Sequence, residues 1–233
     1  MTQFQNTGPG FQYWDHRGMP SAPEESLDSY RGSVAAGALC VEVDCHMLSD
    51  GTVAVMHDST VDRTTTSSGP VAGYNATTWK QLVMEGGAGI HPPLLDEILS
   101  EFGGDLPLII EAKSSGSGAA IVDRLKFYNV APASVLINSF ISDELIAALR
   151  DGYPTCINLG TYGGTPTLAT LVARGYQWAS VNATTTAWMD SLRAAGIKVV
   201  VYTLNTPEEV LAVKDHCDAV YSDNAIYLRS LNP

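Results

Sequence analysis

The chain has 233 residues, of which 45% are hydrophobic, so it can bury one sizeable core and is predicted to form a single domain over residues 1–233. Its net charge of −12 argues against generic nucleic-acid binding, because an acidic surface repels phosphate backbones. No apolar run reaches the roughly 18 residues that a membrane-spanning helix needs.

Short apolar, β-branched runs recur along the chain and alternate with amphipathic stretches. The runs are almost continuously hydrophobic, which is typical of strands covered on both faces. The predicted strands are residues 12–15, 39–44, 108–111, 135–139, 155–159, 178–181, 198–202 and 219–222. The predicted helices are residues 26–36, 94–102, 118–127, 143–150, 167–173, 185–194, 207–214 and 225–229.

This strict alternation predicts the α/β class and, within it, a single (β/α)8 TIM barrel. Thr206 and Pro207 form a typical helix start, with a capping hydroxyl ahead of a proline at the first helical position. An open, doubly wound sheet is the structural alternative. It is disfavoured because no glycine-rich dinucleotide turn follows the first strand.

One segment departs from the alternation. Asp50-Gly51 favours a tight turn, so residues 45–58 are predicted to form a hairpin that rises above the barrel rim after the second strand. Residues 59–93 then form a long polar loop in this interpretation. Loops of that length within a domain are usually functional or mobile.

Titratable side chains stand at the carboxyl ends of the predicted strands, where barrel active sites form. Glu42 and Asp44 lie two residues apart, so both side chains leave the same face of their strand. The other such residues are His16, Arg17, His57, Asp58, Glu111 and Lys113. His46, His91 and His216 lack this placement and are interpreted as structural or surface residues.

The strand-end residues form a set suited to phosphodiester chemistry. Carboxylates on neighbouring strands repel one another without a cation, and their oxygens suit a hard ion such as Mg²⁺ or Ca²⁺. Two histidines supply an acid and a base of near-neutral pKa, and basic side chains hold phosphate oxygens. Taken singly, each residue also fits a structural role, such as a rim ion pair between Glu111 and Lys113. Only their joint placement favours catalysis.

The same residues belong to an ordered series of motifs that closely resembles the glycerophosphodiester phosphodiesterase family. The series comprises His16-Arg17-Gly18, Pro23-Glu24-Glu25-Ser26, Glu42-Val43-Asp44, Val53-Ala54-Val55-Met56-His57-Asp58 and Ile110-Glu111-Ala112-Lys113. With two later segments, the resemblance spans residues 16 to about 224. It implies a (β/α)8 barrel that cleaves glycerophosphodiesters, such as deacylated phospholipids, to glycerol 3-phosphate and an alcohol.

The resemblance also implies roles for individual residues. Glu42, Asp44 and Glu111 are expected to hold one divalent ion, either Mg²⁺ or Ca²⁺. His16 and His57 are expected to act as the acid–base pair. Arg17 and Lys113 are expected to bind the substrate phosphate. Whether water or a substrate hydroxyl attacks phosphorus is left open.

Two departures from the family pattern bear on specificity. Glu25 stands where the family usually has asparagine and adds a carboxylate beside the metal, unless it points away within the first turn of the helix. The segment between His57 and Leu94 is short for members with a capping insertion, which predicts an open site. Polymeric, teichoic-acid-like diesters and lipid diesters therefore remain alternative substrates.

Two rival classes of protein also fit these residues, namely a catalytically silent binding domain and a Schiff-base enzyme using Lys113. The polar start, Met1 to Gly10, predicts no secretory signal, so the chain is either cytoplasmic or part of an exported protein. The four cysteines show no zinc-site spacing and are expected to be buried free thiols. Oligomeric state is not predicted.

Overall fold

The computed structural model describes residues 10–104, 106–160, 166–182 and 185–231. Residues 1–9 lie outside this part of the chain. The prediction that the chain start contains no secretory signal therefore concerns residues that are not described. Within the described part, no helix has both the length and the apolar character that crossing a membrane requires. The four cysteines are buried and unpaired, as predicted.

Eight parallel strands form a closed ring. They are β1 (Gln12–Asp15), β2 (Val41–Met47), β4 (Leu108–Ala112), β5 (Val135–Ser139), β6 (Thr155–Leu159), β7 (Trp178–Asn182), β8 (Lys198–Tyr202) and β9 (Ala219–Ser222). Each pairs with its neighbours in parallel, and β1 pairs with both β9 and β2, which closes the ring. The predicted TIM barrel is therefore confirmed, and the open sheet is excluded.

Helices surround this ring, with one exception. The helices are α1 (Leu27–Ala35), α2 (Ala76–Trp79), α3 (Leu95–Phe102), α4 (Ser117–Phe127), α5 (Ile146–Arg150), α6 (Leu168–Arg174), α7 (Thr186–Ala194), α8 (Pro207–Val213) and α9 (Ala225–Leu231). The exception is the short α2, which lies in the segment between β2 and β4. The predicted helix over 143–150 is divided into a 3₁₀ turn, Ser142–Leu145, followed by α5. At α8, Thr206 caps the helix by accepting a hydrogen bond from the Glu209 amide at 3.3 Å, as its sequence predicts.

The barrel interior has an apolar floor beneath a polar layer. Trp14, Ile109, Leu136 and Trp178 belong to one buried cluster inside the ring, where the Trp14 and Trp178 ring centroids lie 4.8 Å apart. Side chains alternate along a strand, so the residue two positions after each floor residue points the same way and lies nearer the carboxyl end. The floor therefore closes the barrel from below and confines polar groups to its upper end.

The predicted hairpin is present. β2 continues beyond the barrel and pairs antiparallel with β3 (Val53–Val55), with Cys45 opposite Val55. Residues 59–93 were predicted as a long polar loop, but they contain a 3₁₀ turn and α2. We refer to residues 48–94 as the hairpin layer. Val53 and Val55 pack into the main core, whereas eight other buried apolar residues of this layer form a cluster of their own: Leu48, Ala54, Met56, Val61, Val71, Trp79, Leu82 and Leu94.

Gly118→Ala is a sensitive test of the close packing between the start of α4 and the 3₁₀ turn Ser142–Leu145. A Cβ atom at Gly118 would overlap the Glu144 carbonyl oxygen, so the substitution should lower the free energy of unfolding by about 2 kcal/mol. Glycine-to-alanine changes inside helices normally stabilise, so the expected sign is reversed. Gly73→Ala is the control for urea denaturation, because its Cβ would lie 3.6 Å from Pro70 Cγ. A Gly118→Ala protein as stable as wild type would contradict this packing.

Candidate active site

A pocket of about 150 Å³ opens at the carboxyl ends of the barrel strands. It contains all seven site residues predicted from the sequence, namely His16, Arg17, Glu42, Asp44, His57, Glu111 and Lys113. Side chains that the sequence interpretation did not select complete the lining, among them Asn138, Asn158, Ser180, Tyr202 and Tyr221. The fold thus brings residues from distant parts of the chain into one cavity.

Three carboxylates form a buried cluster at this pocket, and two of them, Glu42 and Asp44, line it. Oxygen atoms of Glu25, Glu42 and Asp44 all lie within 4.8 Å of one another, and the three side chains are buried. Among the described residues, neither Glu42 Oε2 nor Asp44 Oδ2 has a hydrogen-bond partner. Buried carboxylate oxygens without donors are costly, and a divalent cation with oxygen ligands removes that cost. The residues present therefore fit a hard metal ion.

Lys113 joins two carboxylates across the pocket. Its Nζ atom donates to Asp44 Oδ1 at 3.0 Å and to Glu111 Oε1 at 2.9 Å. Burial by itself would raise the pKa of Asp44, but the Lys113 ammonium and nearby cations outweigh it and hold that pKa below its usual range. Burial and the neighbouring Asp44 instead raise the pKa of Glu42. Asp44 is therefore the firmly ionised member of the cluster.

Glu111 differs from Glu42 and Asp44 because hydrogen-bond donors contact both of its oxygens. Besides the bond from Lys113, Oε2 accepts a hydrogen bond from Asn158 Nδ2 at 3.2 Å. Sequence reasoning did not select Asn158. The sequence does contain a reason to select it, because Asn158 lies within an apolar strand and its amide would be costly to bury without a polar partner.

Arg17 lies beside the acidic cluster in an unusual backbone conformation. Its φ angle is 61°, and Gly18 follows with a φ of 83°, so the chain turns sharply after β1. The Arg17 Nε atom lies 3.4 Å from Asp44 Oδ2, and an Arg17 Nη atom lies 3.4 Å from a Glu24 oxygen. The guanidinium is thus positioned between the pocket and the loop that leads into α1.

Each of the two candidate catalytic histidines has a carboxylate at Nδ1. His16 Nδ1 lies 2.7 Å from Asp223 Oδ1, and His57 Nδ1 lies 2.7 Å from Asp58 Oδ1. A carboxylate accepts a hydrogen bond from Nδ1–H and so keeps the proton of the neutral ring on Nδ1. In both residues Nε2 is then the nitrogen able to exchange a proton with a ligand. Burial lowers the pKa of His57, which favours its neutral form near neutral pH.

Further residues hold these carboxylates in place. Arg63 donates to Asp58 and to Glu24, with distances of 2.7 Å from Nε to Asp58 Oδ2 and 2.6 Å from Nη2 to Glu24 Oε1. Asn205 Nδ2 donates to Asp223 Oδ2 at 2.7 Å. The sequence placed Asp58 among the strand-end residues and Asp223 in one of the two later family-like segments, and neither residue was given a role. Asp58 directly follows His57, and Asp223 directly follows β9. These positions at the carboxyl ends of strands could have indicated that both residues support the site.

The other histidines form structural contacts. His46 Nε2 lies 3.2 Å from the His57 carbonyl oxygen, while His91 and His216 pair with Glu97 and Asp190.

A larger open groove of about 1030 Å³ adjoins the pocket. Residues common to both cavities are His57, Glu111, Lys113, Phe140 and Tyr202.

Comparison with known proteins identifies the family of this chain. The sequence profile of the Glycerophosphoryl diester phosphodiesterase family matches residues 16–226. The chain belongs to this family. Its curated relatives include a glycerophosphodiester phosphodiesterase of Bacillus subtilis, 29% identical over 60% of this chain and 56% of that protein. The protein YqiK of the same species is 26% identical over 89% of this chain and 93% of its own length.

Solved structures of the family share the barrel. A glycerophosphodiester phosphodiesterase from Thermotoga maritima superposes with a TM-score of 0.82 at 21% identity, covering 97% of this chain and all of that one. An Oleispira antarctica phosphodiesterase, solved with its product sn-glycerol-3-phosphate, gives a TM-score of 0.83 at 24% identity, covering 95% and 97%. At this level of identity the likeness establishes the fold.

Proposed function

We propose that this chain hydrolyses glycerophosphodiesters to glycerol 3-phosphate and an alcohol. The observation that carries the proposal is the pocket itself, where two carboxylate-paired histidines stand beside buried carboxylate oxygens that lack donors. Family membership and the B. subtilis relative named for this activity support the same reaction class.

In this proposal His57 accepts a proton from the attacking oxygen, and His16 donates one to the alcohol that leaves phosphorus. The lowered pKa of His57 favours the neutral imidazole that a base requires. Asp58 and Asp223 keep each Nε2 available by binding Nδ1. The attacking oxygen is either that of water or that of a neighbouring substrate hydroxyl.

Glu42, Asp44 and Glu111 would hold one divalent ion, either Mg²⁺ or Ca²⁺. Such an ion supplies Lewis-acid stabilisation of the charge that develops on the phosphoryl oxygens. Arg17 and Lys113 line the same pocket and would bind the non-bridging phosphate oxygens. Lys113 would then exchange part of its contact with Asp44 and Glu111 for contact with phosphate.

The direct test is release of glycerol 3-phosphate from glycerophosphocholine and glycerophosphoethanolamine. Reactions would contain Mg²⁺, Ca²⁺ or a chelator. Release with a divalent ion and none with chelator would support both the reaction and its metal requirement. Release that persists in chelator would remove the metal from the proposal. No release under any condition would contradict hydrolysis of small glycerophosphodiesters.

A polymeric, teichoic-acid-like substrate is a second candidate, and the adjoining groove favours it. The groove is larger than the pocket and shares His57 and Lys113 with it, so a chain leaving the phosphate has room to extend. Measuring kcat/KM on glycerophosphocholine and on poly(glycerol phosphate) discriminates between the two. A higher value on the polymer would favour the second candidate, and a lower value would favour the first.

Replacement of Asp223 by asparagine tests the support of His16. The amide cannot enforce the Nδ1-protonated tautomer, so we expect kcat to fall about tenfold with little change in KM. Asp190→Asn is the matched control, because Asp190 pairs with His216 away from the pocket. An Asp223→Asn enzyme with wild-type kcat would show that His16 needs no carboxylate.

A further inference from the structure

The acidic cluster contains a side chain to which the proposed mechanism gives no role. We propose that Glu25 is an additional carboxylate ligand of the cation site and makes this site prefer Ca²⁺ over Mg²⁺. This inference rests on the proposed function in one respect, namely that the pocket binds a divalent cation. It goes further by assigning a ligand and a metal preference.

Geometry is the first argument. The carboxylates whose oxygens converge within 4.8 Å are Glu25, Glu42 and Asp44, and each side chain is at most 3% exposed. Within the described residues, Glu42 Oε2 and Asp44 Oδ2 are buried in this cluster without a hydrogen bond, and the one cationic contact is that of Arg17 Nε, 3.4 Å from Asp44 Oδ2. Both oxygens of Glu111, in contrast, accept hydrogen bonds. The carboxylate oxygens that lack hydrogen bonds therefore belong to Glu42 and Asp44, the two residues that converge with Glu25.

The position of Glu25 is fixed by the surrounding chain. Ser26 is the N-cap of α1, so Glu25 precedes the helix and does not point away within its first turn. The Tyr30 hydroxyl donates to Glu25 Oε2, and the Asp44 amide lies 3.3 Å from both Glu25 oxygens. An ionised carboxylate offers about four lone-pair sites, so these donors leave capacity for a cation.

Charge balance is the second argument. Arg17 and Lys113 are the basic side chains of the pocket lining, and they face the carboxylates of Glu42, Asp44 and Glu111. When a bound cation keeps all four carboxylates ionised, Glu25 brings the net charge of these six side chains to minus two, which one divalent ion neutralises. A neutral side chain at position 25 would leave a net charge of minus one. The cluster with Glu25 is thus matched in charge to a divalent cation.

Ligand number is the third argument, and it bears on metal preference. Ca²⁺ takes six to eight oxygen ligands in flexible geometry, whereas Mg²⁺ requires a compact octahedron and usually retains several waters. A further carboxylate, able to bind through one or both oxygens, raises the number of protein ligands. Such a site favours the larger ion.

The test is isothermal titration calorimetry of the full chain with CaCl₂ and with MgCl₂. We expect wild type to bind Ca²⁺ at least tenfold more tightly than Mg²⁺. Glu25→Gln should weaken Ca²⁺ binding at least tenfold and narrow the difference between the two ions. Glu144→Gln is the matched control, because Glu144 is a buried carboxylate that contacts the amides of Gly116 and Gly118 instead of the cluster. It should change the Ca²⁺ affinity less than twofold.

The outcomes separate the two proposals. A folded Glu25→Gln protein with wild-type Ca²⁺ affinity would overturn the role of Glu25 and leave the proposed hydrolysis intact. Wild type that binds neither ion would overturn the cation site itself. If Glu25→Gln does not fold, a crystal structure of wild type grown with Ca²⁺ decides. A Glu25 oxygen about 2.3–2.6 Å from the ion would support the inference, and an ion held without Glu25 would overturn it.

Discussion

Replacing His57 with alanine is expected to lower kcat for glycerophosphodiester hydrolysis by about 10³-fold, because a positioned acid or base contributes roughly 10²–10⁴ to the rate. His57 is one of two histidines in the pocket, and its Nδ1 is already bound to Asp58. Its side chain is 34% exposed, so its removal leaves no closed cavity in the core. Measuring kcat and KM at saturating divalent ion gives the effect directly.

His216→Ala is the matched control for this experiment. His216 has similar exposure and also pairs with a carboxylate through Nδ1, but its partner is Asp190. The control should retain wild-type activity, and both variants should keep the wild-type melting temperature within a few degrees. Activity of His57→Ala within tenfold of wild type would remove His57 from the acid–base pair.

Replacing Lys113 with methionine is expected to lower the free energy of unfolding by about 3–5 kcal/mol when divalent ions are chelated. Lys113 is 13% exposed and donates to both Asp44 and Glu111, so its loss leaves buried Glu111 without an ion pair and buried Asp44 with only the longer contact to Arg17. Urea denaturation in the presence of a chelator measures the effect. Activity should also be lost, since Lys113 lines the phosphate site in the proposed mechanism.

Added Ca²⁺ should reverse part of this destabilisation, because a bound cation takes over the neutralisation of the carboxylates. Lys126→Met provides the comparison. Lys126 also pairs with an aspartate, Asp151, but its side chain is 50% exposed, and surface pairs contribute about 0–1 kcal/mol. Equal effects of the two substitutions would show that the buried lysine does not stabilise the pocket.

Hydrophobic pattern and strand alternation were enough to predict the barrel. Several strands, such as Val135–Ser139 and Lys198–Tyr202, have their predicted bounds, since the central residues of these apolar runs are buried. β2 begins two residues later than predicted, because Leu39 is exposed, and it extends to Met47 because it also forms one arm of the hairpin. A pattern confined to one strand cannot indicate such a double role.

The hairpin layer was the least predictable region. Its polar composition suggested a loop, yet Trp79 is fully buried and its indole nitrogen donates to the Pro93 carbonyl oxygen at 3.2 Å. An asparagine cap at Asn75 ahead of Trp79 was the overlooked helix signal. The domain extent over residues 1–233 stays a prediction.

Site residues were predictable where strand geometry dictates their position. Side-chain alternation places Glu42 and Asp44 on the same face of β2. Parallel register places Glu111 beside Asp44 on the adjacent strand, β4. The contacts of Glu25 did not follow, because they depend on a turn with a φ of 61° ahead of α1. Likewise, the pairing of His16 with Asp223 joins residues 207 positions apart and requires the closed ring. The roles of all these residues remain predictions until the variants are measured.

The separate apolar cluster of the hairpin layer has a consequence for how the protein loses activity. His57, Asp58 and Arg63 belong to this layer, whereas His16 and the carboxylates belong to the barrel ring and the turn that follows β1. Regions with their own small core can open locally at a lower free energy than the whole domain. Mild heat or denaturant should therefore abolish turnover while the barrel keeps its circular dichroism, and amide hydrogens of residues 59–93 should exchange before those of the ring.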